Sequence, residues 1–441
     1  MTRLLASAAI AAAIALGAPS ATLALQSPAP APAADSAFDK RAAQLVDLLN
    51  GKIAFADYFD PSFQQAIPEA QFKTFTTSLI AQYGTPVAID RATSTSGRSG
   101  TVLLRFERGV ATVLLDVGVA VDERVTGLRV TGVAVANDSF GKVAAEIAAL
   151  PGQTGFLVAE LGDSGIRPLA SANADRQFAV GSTIKLYILD ELAAQVTVGK
   201  RKWSDVVPLS HFSFSSAGTA NWPAETPVTL QTLANWMISV SDNGATDTLI
   251  HLIGRAPIEA RMRAAGHSDP SRNIPLLTTV EAFALKGNNF ADLRPIFIKS
   301  EDAAQRQLIE ANQDRLVLQN VDGVSFIDGP RFIDSLEWFA SPNDIARLMV
   351  DLRAHRSETL LAAMAINNGV GPVAAANWKY LGYKGGSENG VLSMSLLGQR
   401  KSDEKWFVIT ASWNNPAANV DTGLLIGLVT RLLAIAGKAA S

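Results

Sequence analysis

The chain has 441 residues, 48% of them hydrophobic and 18% charged, which excludes a wholly disordered protein and a coiled coil. Its formal charge is −3, so it has no general positive field for a phosphate backbone, and nucleic acid is not an expected partner. Cysteine is absent, which rules out disulfides, thiol nucleophiles and thiolate metal sites.

The N-terminus reads as an export signal. Arg3 precedes an apolar run from Leu4 to Leu16, and small residues end in Thr22-Leu23-Ala24, a charged region, an apolar region and a small-x-small cleavage pattern. Residues 1–24 are therefore expected to be removed and the protein to be periplasmic or secreted, with no stable membrane insertion afterwards. Ser27-Pro28-Ala29-Pro30-Ala31-Pro32 makes 25–34 an extended tether.

The length predicts two or three domains. The first is expected over 35–145. Ala42, Leu45, Leu48 and Leu49 recur at helical spacing, as do Phe72, Phe75 and Leu79. After Gly84-Thr85-Pro86 the period changes, and 101–106, 111–119 and 127–134 read as strands. Helices followed by an antiparallel meander predict a small α+β domain. Its element order is similar to that of the nuclear transport factor 2 and ketosteroid isomerase fold. Asp57, Asp60 and Asp90 sit where capping roles are expected, so a positioning or substrate-gating module is the reading for this part.

The second domain is expected over 151–441. A hairpin at 154–161 and 166–169 is followed by helices from about Ser182 to Gln195, after Thr229, and beyond Thr246. Strands at 391–397 and 406–412 and a helix at 422–436 close the chain. Strands at both ends with helices between them predict one α/β domain whose terminal segments share a sheet.

Three motifs carry chemistry. Ser182-Thr183-Ile184-Lys185 places an amine one helical turn from a hydroxyl, on the same face. A serine needs a base to become a nucleophile, and a partly desolvated lysine near another cation can serve. Ser241-Asp242-Asn243 offers a second hydroxyl and an amide, with Asp242 tying its loop together through backbone contacts. Lys384-Gly385-Gly386-Ser387, before the strand at 391–397, offers a second cation and glycines that admit close backbone approach.

With Phe178–Lys185, Met237–Asn243 and Lys384-Gly385-Gly386 in this order, the chain resembles the penicillin-recognising serine enzymes, and among them class A β-lactamases and related serine hydrolases. Leu276-Leu277-Thr278-Thr279 and Trp338–Asp344 extend the resemblance. It implies a β-lactamase/transpeptidase-like domain, an antiparallel sheet flanked by helices plus a helical subdomain. It also implies Ser182 as acylated nucleophile, Lys185 as base, Ser241 as proton relay to the leaving group, and Lys384 as a steering cation. Asn243 would position the pocket, and Ser182 N–H with Ser387 N–H after Gly386 would form the oxyanion hole. The partner implied is a small acyl substrate, a β-lactam or an ester, with no cofactor and no metal. Oligomeric state is not read from these features.

Two departures bear on turnover. Gly385 stands where the motif has Thr or Ser, which removes a hydroxyl for a substrate carboxylate. No Glu-x-x-Leu-Asn follows Ser241, so the base for deacylation is open: Glu281 is the positional candidate, although its context reads as a helix start, and Glu337 is the runner-up. The readings therefore stand as a β-lactam hydrolase, an esterase or cell-wall peptidase or amidase of the same fold, or a slowly deacylating penicillin-binding-like protein. His211, His251, His267 and His355 lack metal-ligand spacing. Trp203, Phe212, Phe214 and Trp222 are expected to pack in the core or to rim the site.

Overall fold

A computed structural model describes residues 36–163, 165–355 and 357–438, without the side chains of 372 and 373. The expected export signal and tether lie outside the described residues. No helix among the described residues is long and apolar enough to cross a membrane.

Short helices, from Ala37–Ala43 to Glu69–Tyr83, lead into the antiparallel strands β1 (Pro86–Ser94), β2 (Ser99–Phe106), β3 (Gly109–Val117) and β4 (Val125–Ala134), paired in chain order. Along β3, Ala111, Val113, Leu115 and Val117 are buried at every second position, as a sheet with one covered face requires. They meet Phe38, Leu45, Tyr58 and Phe59 in one core. Phe72 and Leu79 join it, whereas Phe75 is 42% exposed. The unexpected strand β1 is an edge strand with mostly exposed side chains, so it lacks the apolar alternation that marks a half-buried strand. Asp60 caps the helix Pro61–Ala66 by accepting Ser62 N–H at 2.9 Å, and Asp90 pairs with Arg105.

The expected division at Ala145 needs correction. The helix Phe140–Ala148 runs across that position and buries Val143 and Ile147 in the core of the second unit. Helix continuity and its apolar face place the boundary ahead of Ser139, its N-cap.

The second unit holds β5 (Gln153–Gly162), β6 (Gly165–Ala172), the short β7 (Phe178–Ala179), β8 (Val206–Pro208), β9 (Pro227–Thr229) and β10 (Phe339–Ala340), then β11 (Trp378–Glu388), β12 (Val391–Arg400) and β13 (Trp406–Asn414). The main antiparallel sheet has the order β11-β12-β13-β5-β6, so the beginning and end of the unit share it, as the sequence predicts. The Lys384-Gly385-Gly386-Ser387 motif precedes β12, as expected, and itself lies inside a further strand, the edge strand β11, which the sequence reading does not give. Its glycines conceal a strand that ten register pairs with β12 hold in place.

Alternation along β11 and β12 sorts the chemistry. Leu392, Met394 and Leu396 face a core shared with the helix Thr422–Ala436. On the other face, Ser393 and Ser395 stand opposite Gly386 and Lys384. The helix Lys185–Thr197 belongs to this second face and is buried at every position from Lys185 to Gln195, the pattern of a central helix. The first unit docks on the opposite side. Helix Glu69–Tyr83 and β4 pack against the C-terminal helix, and Arg431 of that helix binds Asp138 and Glu146 at 2.6–2.9 Å. This placement backs the sheet on the face away from Ser182 and gives no support to the gating role expected for that unit.

Candidate active site

The site begins at a 3-10 turn, Gly181–Ile184, that feeds the helix starting at Lys185. In a 3-10 turn side chains three apart eclipse, which sets Ser182 and Lys185 on one line. The turn is pinned from two sides. Val180 N–H donates to Trp338 O at 2.9 Å, and the Ser393 hydroxyl bonds Val180 O at 2.8 Å and Thr183 Oγ1 at 2.5 Å. Asn414 of β13 bonds both the N–H and the carbonyl of Ala179. Ser182 itself is partly exposed.

Two glycines permit the closest approach. A Cβ on Gly386 would lie 2.5 Å from Ser182 N and 2.0 Å from Val180 O, so β11 can press against the turn only with glycine there. Gly181 has φ +50°, and a Cβ on it would come 3.2 Å from Ser387 N. The backbone nitrogens of Ser182 and Ser387 thus border one small space.

Lys185 is fully buried. Its Nζ donates to Asn243 Oδ1 at 2.6 Å, Ser241 O at 2.7 Å and Ser241 Oγ at 3.1 Å, all neutral acceptors. Burial pushes its pKa down to about 7, against the opposing pull of Asp247 and Asp242. Lys384, 2% exposed, donates to the same Ser241 Oγ at 3.0 Å and to Gly385 O at 2.5 Å. Burial and the neighbouring Lys185 push it well below the usual lysine range.

Ser241 holds φ +59°, a left-handed conformation rare for serine, and offers its hydroxyl to both lysines and its carbonyl to Lys185. The surrounding loop over-determines that shape. Asp242 caps the helix Asn243–Ile253 and accepts from Ala245 N, Gly218 N, Thr219 N and Thr219 Oγ1 at 2.6–2.9 Å. Asn243 donates from Nδ2 to Phe214 O at 2.8 Å. Asp247, one turn along, accepts Thr279 N–H and Val280 N–H at 2.7 and 3.0 Å; burial raises its pKa to about 6.

The structure brings Ser182, Lys185, Ser241, Asn243, Lys384, Gly386 and Ser387 together. It does not leave Glu281 free. The Glu281 carboxylate takes Arg255 at 2.5 and 2.8 Å and closes a capping box with Thr278, so its proposed part as deacylation base is withdrawn on hydrogen-bond grounds. Glu337 bonds Lys286 at 2.6 Å, and Lys286 also takes Glu388 at 2.6 Å. Sequence reasoning missed Glu388. The signal available was strand alternation, since it follows Lys384 and Gly386 at steps of two.

Gly385 also has a steric explanation. A Cβ there would lie 2.0 Å from Tyr383 Oη, so the tyrosine fills the place of the absent side chain. Of the four aromatics, Phe214 stacks in a cluster with Phe283 and Phe326 beside Asn243, while Trp203 and Phe212 pack on the main core. Trp222 meets Trp236 edge-on. His211 and His251 stack at 3.7 Å, His267 lies 2.8 Å from Phe339 O, and His355 lies 3.0 Å from Asp190.

The Ser182 turn, an edge strand and a serine-asparagine loop converge on two buried lysines, an arrangement of the serine-hydrolase type. The family described as the beta-lactamase enzyme family matches residues 140–364, just over half of the sequence, and the chain belongs to that family. No curated protein matches it. Among solved structures, a beta-lactamase from Sphaerobacter thermophilus is 21% identical, covering 68% of this chain and 97% of that one, with a TM-score of 0.47. A beta-lactamase from Chitinophaga pinensis is 15% identical over 67% and 97%, with a TM-score of 0.43. A mutant of PBP-A, in an acyl-enzyme complex with penicillin G, is 15% identical over 67% and 94%, with a TM-score of 0.46.

Proposed function

We propose that the protein is an exported serine acyl hydrolase that opens a β-lactam amide through a covalent acyl-enzyme on Ser182. The observation that carries this is Lys185: a sealed amine, three residues from the serine, whose hydrogen-bond acceptors are all uncharged. No carboxylate among the described residues bonds it to hold its proton, so its neutral form is available near pH 7. In this reading the Lys185 amine takes the hydroxyl proton as Ser182 Oγ attacks the carbonyl carbon. Ser182 N–H and Ser387 N–H receive the oxyanion, a kind of donor worth roughly 3 kcal/mol each in comparable sites. The amide C–N bond then breaks, and the proton passes from Lys185 through Ser241 Oγ to the leaving nitrogen. Water finally cleaves the ester.

An ester substrate is the second reading, and Tyr383 favours it. Gly385 has no hydroxyl of its own to receive a substrate carboxylate, and the Tyr383 phenol leaves no room for a Thr or Ser side chain there. An ester also asks less of the Ser241 relay, because an alcohol leaves with less protonation than an amine.

Intact-mass time courses with benzylpenicillin, a cephalosporin and p-nitrophenyl acetate separate the readings. An adduct that forms and clears with the β-lactams supports the main one. Ester turnover with no β-lactam adduct supports the second, and the absence of any adduct or turnover overturns both.

A further inference from the structure

We infer that Ser393 and Thr183 are positioning residues that hold the Ser182 turn at its working distance from β11, an assignment that rests on the acyl-enzyme reading above. Thr183 is 0% and Ser393 1% exposed, so neither side chain meets a substrate. Both act through the backbone on either side of the nucleophile.

The two hydroxyls form a chain with one direction. Ser393 Oγ donates to Val180 O at 2.8 Å, which uses its only proton. Lying 2.5 Å from Thr183 Oγ1, it accepts there, so the Thr183 O–H donates to Ser393 Oγ. Val180 stands two residues before Ser182 and Thr183 one after it, so a single hydroxyl from β12 ties both shoulders of the turn. Thr183 N–H adds a bond to Val180 O at 3.2 Å. In a buried chain of this kind each donor polarises the next, and removing one member leaves the others short of a partner. The chain also enters the turn already fixed, because Asn414 of β13 holds Ala179 by its N–H and its carbonyl.

The contact is made where β11 is thinnest. In the register of β11 with β12, Ser393 is the partner of Gly386 and Leu392 the partner of Ser387. A Cβ on Gly386 would come 2.5 Å from Ser182 N and 2.8 Å from Thr183 N, so only glycine lets the strand and the turn meet beside the Ser393 hydroxyl. Ser393 fixes the turn to β12, and the ladder fixes β11 to β12. The separation of Ser182 N–H from Ser387 N–H follows from those two attachments together. Two oxyanion donors work only when both lie near 3 Å from one oxygen that carries charge in the transition state. A small shift of the turn therefore costs rate and leaves the first binding step almost untouched.

Stopped-flow acylation by benzylpenicillin and by p-nitrophenyl acetate, each over a range of concentrations, separates the affinity of the first complex from the rate constant that follows it. Ser393→Ala should lower that rate constant about 30-fold, with the affinity within about 2-fold of wild type. Thr183→Val, which keeps the shape and removes the hydroxyl, should lower it as well, whereas Thr183→Ser should stay near the wild-type value. Because Thr183 acts through Ser393, the double variant Ser393→Ala with Thr183→Val should be no slower than Ser393→Ala alone. The contrast of Thr183→Val with Thr183→Ser decides the matter if Ser393→Ala does not fold. An unchanged rate constant in Ser393→Ala or Thr183→Val, a loss carried by affinity, or losses that multiply in the double variant would overturn the assignment while leaving the acyl-enzyme intact. No adduct on the wild type overturns the reading beneath it.

Discussion

Lys185 and Lys384 donate to a single hydroxyl, Ser241 Oγ, at 3.1 and 3.0 Å. Two nitrogens sharing one oxygen lie within about 6 Å of each other, where two positive charges repel by roughly 3 kcal/mol at an effective dielectric near 20. Neither has an anionic hydrogen-bond partner among the described residues to offset that. The pair therefore favours a state with at least one neutral amine, which is what the proposed activation of Ser182 requires.

Acylation should depend on that neutral amine. The Lys185 pKa lies near 7, so the proton-accepting form accumulates as pH rises through about 7, and the acylation rate falls away below it. Lys185→Ala should lose roughly 1000-fold in acylation, within the range of general base catalysis. Stopped-flow acylation between pH 5 and 9 checks both the limb and the loss.

Gly386→Ala should damage the reaction without removing any catalytic group. Its Cβ would fall 2.5 Å from Ser182 N, so β11 must move away and take Ser387 N–H with it. Acylation is expected to drop about 100-fold, the scale of one lost oxyanion donor, with little change in ground-state affinity for a non-covalent ligand. Pre-steady-state rates with a parallel binding titration separate the two effects.

Restoring the family hydroxyl is predicted to fail on its own. In Gly385→Thr the new side chain meets Tyr383 Oη at 2.0 Å, so the variant should be less stable and no better with carboxylate-bearing substrates. Pairing it with Tyr383→Ala should relieve the clash and raise acylation by penicillin relative to an uncharged ester. The ratio of the two rates in single and double variants is the readout.

Arg431 links the C-terminal helix to the segment joining the two units. It is 6% exposed and bound to Asp138, itself 7% exposed, at 2.8 Å. Arg431→Met leaves that carboxylate without its partner and should cost about 3 kcal/mol, the scale for breaking such a pair from one side. Burial raises the Asp138 pKa, but Arg431 outweighs it and the carboxyl is held below its ordinary value. Because the folded pKa is depressed, the contribution is complete above the unfolded value near 4 and is lost as pH falls through the folded one. Denaturant midpoints of wild type and variant should differ at pH 7 and converge in acid.

The sequence made local arrangements readable and hid long-range ones. Ser182 and Lys185 are three apart, so one turn of backbone decides their alignment, and Thr422–Ala436 carries enough apolar periodicity to set its own limits. Likewise Asp242 ties its loop together through backbone contacts, as its place in the Ser-Asp-Asn turn suggests. By contrast, Glu388 and Lys286 are separated by 102 residues, and their contact exists only after β11 and the helix Thr279–Lys286 pack. Strand β11 was obscured because Gly382, Gly385 and Gly386 look like a turn. Their smallness instead answers to Tyr380 and Met364, Tyr383, and the Ser182 backbone, none of which the local pattern announces. Glu281 shows the opposite case: its capping position was visible, but its bond to Arg255 was not.

The most direct measurement is peptide mapping of acid-quenched protein after seconds of exposure to benzylpenicillin and, separately, to p-nitrophenyl acetate. The acyl group is predicted on Ser182, in proportion to the intact-mass adduct, and absent from Ser182→Ala. A label on any other residue, or equal labelling of the alanine variant, would contradict the account.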